Sequence, residues 1–135
     1  MAGLGTGAAP FRAFLQYRAQ LAAQGVPVGP TYYYFGSRHQ SQEYLYGEEI
    51  EAFVLDGTIA RAGLAFSRDG PRKVYIQHKM REDGADLARM LCRRRACFIC
   101  VGRRGLCRTC MRPLWRRWAP MPGWIGRRRG RSWRG

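Results

Sequence analysis

The chain has 135 residues, enough for one small domain, and a formal net charge of +15. No run approaches the roughly eighteen continuous apolar residues of a membrane helix, and no charged segment precedes an apolar one at the start. Neither a membrane partner nor a secretory leader is therefore expected, and the expected location is cytoplasmic.

The charge suggests a nucleic-acid binder until it is mapped. Residues 1–92 hold all 9 acidic residues and 10 of the 24 basic ones, whereas residues 93–135 hold the other 14 and no acid. The body is close to neutral and the tail carries the charge. Cys92, Cys97, Cys100, Cys107 and Cys110 all lie at or beyond the end of that body. Two compositions are joined near Cys92.

In the body, Gly5-Thr6-Gly7 and Pro10 lead into an amphipathic pattern in which Phe11, Phe14, Leu15, Arg18 and Leu21 share one helical face. Pro10 suits the first turn, where its missing N–H costs nothing. A Gly-rich turn at a helix start offers free N–H groups to a pyrophosphate, although an ordinary N-cap turn would look the same. Residues 31–35 then read as a buried strand, followed by the turn Gly36-Ser37-Arg38-His39. Residues 43–55 read as a second helix with Leu45, Ile50, Phe53 and Val54 inward. Residues 59–66 read as the next strand, followed by the turn Ser67-Arg68-Asp69. Residues 74–91 read as a third helix with the stripe Ile76, Met80, Leu87 and Leu91, and residues 96–99 open a further strand.

Turn, helix, strand, helix, strand, helix and strand in that order predict an α/β fold, a doubly wound parallel sheet covered on both faces. A strand should precede Gly5, but only four residues stand there, so the sheet is expected to be truncated at that point. Ser and Arg at the carboxyl ends of neighbouring parallel strands suit a phosphate. Arg38, Ser67 and Arg68, with Lys73, Tyr75 and Gln77 just beyond, are thus candidates for the 2′-phosphate of NADPH. Each alone reads equally well as a solvated surface residue or a turn cap.

Taken together, Gly5-Thr6-Gly7-Ala8-Ala9-Pro10-Phe11, Phe35-Gly36-Ser37-Arg38, Tyr44-Leu45-Tyr46 and Ser67-Arg68-Asp69 with Lys73-Val74-Tyr75-Ile76-Gln77 resemble the NADPH-binding module of the diflavin reductases. The resemblance covers residues 1–98 and is strongest to the sulfite reductase flavoprotein. The reductase end of pyruvate:NADP oxidoreductase is similar. It implies a ferredoxin-NADP reductase-like domain in which Gly5, Thr6 and Gly7 lie under the pyrophosphate, with Pro10 also counted among the cofactor-binding residues. Ser67, Arg68, Lys73, Tyr75 and Gln77 would hold the 2′-phosphate and adenine side, with Arg38 beside them. It further implies hydride transfer from NADPH to an FAD on a preceding domain, then to FMN, then to a haem-protein acceptor such as sulfite reductase. Neither flavin domain is expected within this chain. The family's Cys-Gly pair would fall at Val101 and Gly102, so its cysteine is absent, and the chain alone is expected to be inactive.

The tail admits two readings. Cys97-x-x-Cys100 and Cys107-x-x-Cys110 have the spacing of a zinc site, and Trp115 and Trp118 among arginines suit single-stranded nucleic acid. Alternatively, Arg, Gly, Trp, Pro and Cys without an acid are what GC-rich DNA gives out of frame. A permitted back-translation from Phe98, with one base added after that codon, reads Phe-Tyr-Leu-Cys-Gly-Pro-Thr-Trp-Pro-Val-Pro-Asp-Val-Tyr-Glu, which resembles the family's own next strand. The expectation is therefore a partial NADP-binding domain over 1–98 and a frameshifted, disordered, low-complexity tail over 99–135, without a specific metal or nucleic-acid site.

Overall fold

The computed structural model describes residues 1–93 and 96–101. The expected disorder of the tail, the pair Cys107 and Cys110, and Trp115 and Trp118 lie outside the described residues.

Among the described residues, four parallel strands form the sheet: β1 (Ala2–Leu4), β2 (Tyr32–Ser37), β3 (Arg61–Phe66) and β4 (Cys100–Val101). Their spatial order is β3-β2-β1-β4. A strand does precede Gly5, contrary to the expectation of a missing one. Three residues suffice because β1 is central, with Ala2 opposite both Tyr34 and Cys100. The fourth strand lies at Cys100–Val101 rather than at 96–99, and the Ala2 N–H donates to the Ile99 carbonyl at 2.9 Å. The sheet thus continues past Phe98.

Side chains alternate across a strand, so β2 feeds both faces. Tyr33 and Phe35 join Ala8, Phe11, Leu15, Ile50 and Ile59 on one side. Tyr34 joins Ala2, Ala65, Ile76, Met80 and Leu87 on the other. Helices α1 (Ala9–Ala23) and α3 (Gly47–Leu55) cover the first face; α4 (Ile76–Glu82) and α5 (Gly84–Arg93) cover the second. Burial of apolar surface on both faces is what a parallel sheet requires. The ion pair from Arg12 to Glu49 at 2.8 Å ties α1 to α3.

Two expected helices are each split. Instead of one helix over 43–55, α2 (Gln40–Glu43) ends and α3 begins at Gly47, with Tyr46 in the left-handed region at φ 58°. Aromatic packing overrides the helical pattern here: the Tyr44 ring packs against both Phe35 and Phe66, at centroid distances of 5.7 and 5.6 Å, and those two rings also meet each other at 6.5 Å. Leu45 and Val54 are exposed, not inward. The helix expected over 74–91 breaks at Asp83-Gly84, two weak helix formers, where Asp83 is held by Tyr34 and Arg61. On α1, Phe11 and Leu15 are buried but Phe14 faces out.

Among the described residues, no helix is long and apolar enough to cross a membrane.

Candidate nucleotide cleft

The chain order β1, β2, β3 runs outward in one direction, and β4 returns to the opposite side of β1. This reversal opens a crevice at the carboxyl ends of the strands, where open α/β sheets take ligands. The crevice here is a cleft of about 870 Å³. All four strands contribute ends to it: Leu4 from β1, Gly36 and Ser37 from β2, Ala65 from β3 and Val101 from β4.

On one side stands the turn Gly5–Ala8, a single 3-10 turn between β1 and α1. Gly5 has φ +52°, a conformation that side chains other than glycine's rarely adopt, so the chain can leave β1 and enter the turn at once. Gly5, Thr6 and Gly7 line the cleft. Pro10 does not; it is an exposed residue in the first turn of α1, where its fixed φ fits.

On the other side, the two basic-hydroxyl elements lie next to each other. Ser37 pairs with Phe66 in the parallel ladder, and two further bonds extend it: Ser67 N–H donates to the Ser37 carbonyl at 3.0 Å, and Arg68 N–H to the Arg38 carbonyl at 2.9 Å. Ser37, Arg38 and Ser67 line the cleft, as do Tyr75, which precedes α4, and Gln77, in its first turn. Arg68 and Lys73 are exposed and outside the cleft lining. The side chains of Arg38, Arg68 and Lys73 make no hydrogen bond or ion pair among the described residues, which leaves three cationic groups on this rim.

The acids nearby are committed elsewhere. Glu43 lines the cleft, and its carboxylate accepts the Arg38 backbone N–H at 2.8 Å. Asp69 accepts from the Gln40 backbone N–H at 2.7 Å and contacts the His39 Nδ1 at 3.0 Å. The Gln40 N–H, and then His39, hold the Asp69 carboxyl below the usual carboxylate range. Tyr75 is fixed by its own N–H, which donates to His78 Nδ1 at 3.1 Å, and its ring lies 5.8 Å from the His78 ring.

The cleft floor is Gly36. A Cβ there would sit 2.7 Å from Ile76 Cγ2 and 2.8 Å from Leu4 Cδ2, so the strand end is shaped by the missing side chain.

Sequence reasoning missed Glu43, read only as a helix start, and placed Gly36 and Ser37 in the first basic-hydroxyl turn without naming them, or Ile76, among the site residues. The signal for Ser37 was present, since it stands in the first basic-hydroxyl turn; in the ladder it pairs with Phe66, one position before Ser67. Nothing in the sequence shows that Glu43 folds back onto the amide of Arg38. Val101, where the resemblance would put a cysteine, lies at the cleft end of β4. Cys97 is exposed and Cys100 belongs to β4.

A parallel sheet with a crevice at its strand-order reversal, a glycine turn at one side and a basic rim at the other defines a nucleotide-binding α/β domain. The chain belongs to the oxidoreductase NAD-binding domain family, whose model matches residues 1–112. It is 47% identical over 91 residues to NADPH–cytochrome P450 reductase of Oryctolagus cuniculus, covering 67% of this chain and 13% of that protein. It is 42% identical over 102 residues to the sulfite reductase (NADPH) flavoprotein component of Saccharomyces cerevisiae, covering 76% of this chain and 10% of that protein. NADPH–cytochrome P450 reductase of Aspergillus niger matches at 43% over 101 residues, 74% of this chain and 15% of the relative. These relatives are diflavin reductases, and the chain spans only a small fraction of their length.

Proposed function

We propose that the cleft binds NADPH and that the chain is the NADPH-binding piece of a flavoprotein reductase, with sulfite reductase flavoprotein as the favoured parent. The observation that carries this reading is the cleft at the β1/β4 reversal, with the Gly5–Ala8 turn on one side and the paired Ser37-Arg38 and Ser67-Arg68 strand ends on the other.

The residues fit such a ligand in charge and shape. The N–H groups of the Gly5–Ala8 turn and the start of α1 suit a pyrophosphate, since helix starts carry free donors and positive dipole. Arg38, Arg68 and Ser67, with Lys73 at the rim, suit a doubly charged 2′-phosphate, because guanidinium forks match phosphate oxygens. The exposed Tyr75 ring and the Gln77 side chain suit the adenine side. Bound NADPH would supply a hydride, which in the parent chain would pass to an FAD and then an FMN held on other domains. The electron acceptor would be a haem protein. Arg38 and Arg68, with Lys73, give selectivity for the phosphorylated nucleotide because these cations, unpaired among the described residues, are available on this rim to neutralise two added charges.

Calorimetric titration of the full chain tests the reading. NADPH is expected to bind, NADH about tenfold or more weakly, and Arg38→Ala and Arg68→Ala each to narrow that gap. Equal affinity for the two nucleotides would remove the reading.

A further inference from the structure

We infer that Asp69 is a positioning residue: its carboxylate latches the loop after β2 to the loop after β3, and this latch sets the preference of the cleft for a 2′-phosphorylated nucleotide. The inference rests on the proposal that the cleft takes NADPH.

The backbone ladder between β2 and β3 ends at two bonds, Ser67 to Ser37 and Arg68 to Arg38. Beyond them the chains part, one towards α2 and the other towards α4. Both Asp69 carboxylate oxygens then reach across the gap. Oδ1 contacts His39 Nδ1 at 3.0 Å and Oδ2 accepts the Gln40 N–H at 2.7 Å, between residues about thirty positions apart in sequence. Glu43 acts on the same loop from its far end, through the Arg38 N–H. Arg38 is therefore flanked by two carboxylates, and each holds backbone rather than the guanidinium.

A guanidinium recognises phosphate through a planar fork, so its usefulness depends on where its backbone is held. The His39–Asp69 contact is about one-third exposed and screened, and contributes little as an ion pair alone. The charge-assisted bond to the Gln40 amide does more, because it fixes main chain. Loops held in the binding geometry before the ligand arrives lose less freedom on binding.

The sign of the expected effect separates positioning from charge. Removing a negative charge beside a phosphate site would, through electrostatics alone, tighten anion binding. Positioning demands the reverse. In calorimetric titrations of the full chain, Asp69→Ala, which removes both acceptor oxygens, is expected to weaken 2′,5′-ADP about tenfold while leaving 5′-AMP unchanged. Unchanged or tighter 2′,5′-ADP binding, or an equal loss on both nucleotides, would overturn the inference and leave the nucleotide reading standing. Failure of the unaltered chain to bind 2′,5′-ADP would remove both. His39→Ala, which keeps the Gln40 bond, provides a milder variant should Asp69→Ala not fold. It is expected to shift the same ratio in the same direction by a smaller factor, and an unshifted ratio counts against the latch.

Discussion

The hydroxyl of Tyr34 donates to Asp83 Oδ2 at 2.7 Å, joining the centre of the sheet to the break between α4 and α5. Tyr34 is almost fully buried on β2, and Asp83 also pairs with Arg61 on β3. One carboxylate thus closes the α4/α5 face over two strands. Tyr34→Phe keeps the ring and removes the bond. It is expected to cost about 1–2 kcal/mol in urea unfolding, with Asp83 retaining Arg61 as a partner. No change in midpoint would show the bond to be dispensable.

The same residue predicts an alkaline limb. Burial first, and then the bond to Asp83, raise the Tyr34 phenol above its ordinary value. A folded pKa above the unfolded one gives stability that is fully present below the unfolded value, about pH 10, and is lost as pH rises through the folded value. Urea midpoints of the unaltered chain should fall more steeply above about pH 10 than those of Tyr34→Phe. Parallel curves would contradict this.

Gly36 tests the shape of the cleft floor. Gly36→Ala pushes a methyl group into Ile76 and Leu4, and overpacking of this kind is expected to cost about 1–3 kcal/mol in thermal or urea unfolding. Because both clashing atoms belong to side chains lining the cleft, nucleotide affinity should fall with it. Full stability with full affinity would mean that the neighbours yield freely.

Glu49 sets part of the acid limb. Its bond to Arg12 holds its carboxyl below the usual range. A depressed folded pKa gives stability present above the unfolded value, about 4.3, and lost as pH falls through the folded one. Glu49→Gln should therefore be slightly less stable than the unaltered chain at neutral pH, with the difference gone in acid. Both partners are well exposed, so the neutral-pH difference is expected to be small. A difference that grows in acid would reverse the assignment.

The frame of the tail is decided by the transcript. The proposed change of frame after Phe98 predicts one additional base after that codon when the message is sequenced from Met90 to the stop. An unaltered message would remove an error of reading as the cause, and leave either a change of frame carried in the gene itself or a basic, Cys-rich segment needing its own account.

Much of the sheet was legible in the sequence because buried strands must be apolar. Residues 31–35 and 59–66 announce themselves that way, and β2 and β3 lie within two residues of those limits. The helical breaks were not legible. Tyr44 leaves its helix for the Phe35–Phe66 cluster, and Asp83 stops another for Tyr34 and Arg61, partners remote in sequence. Strand β1 escaped notice because a three-residue strand has no measurable period and exists only through two neighbours.

By itself the sequence determined the chemistry available to this protein: glycines before a helix, Ser-Arg elements after two apolar runs, and a charge confined to the tail. Those follow from residue type and order, which local propensity and periodicity can read. Only the tertiary structure decided the strand order, and with it that the Gly5–Ala8 turn and the paired Ser37-Arg38 and Ser67-Arg68 ends face one cleft while Pro10 does not. It alone shows that Glu43 and Asp69 hold backbone amides instead of opposing the arginines. The physical reason is that hydrogen bonds and packing act through space, and the distances that matter here join loops whose residues are far apart along the chain.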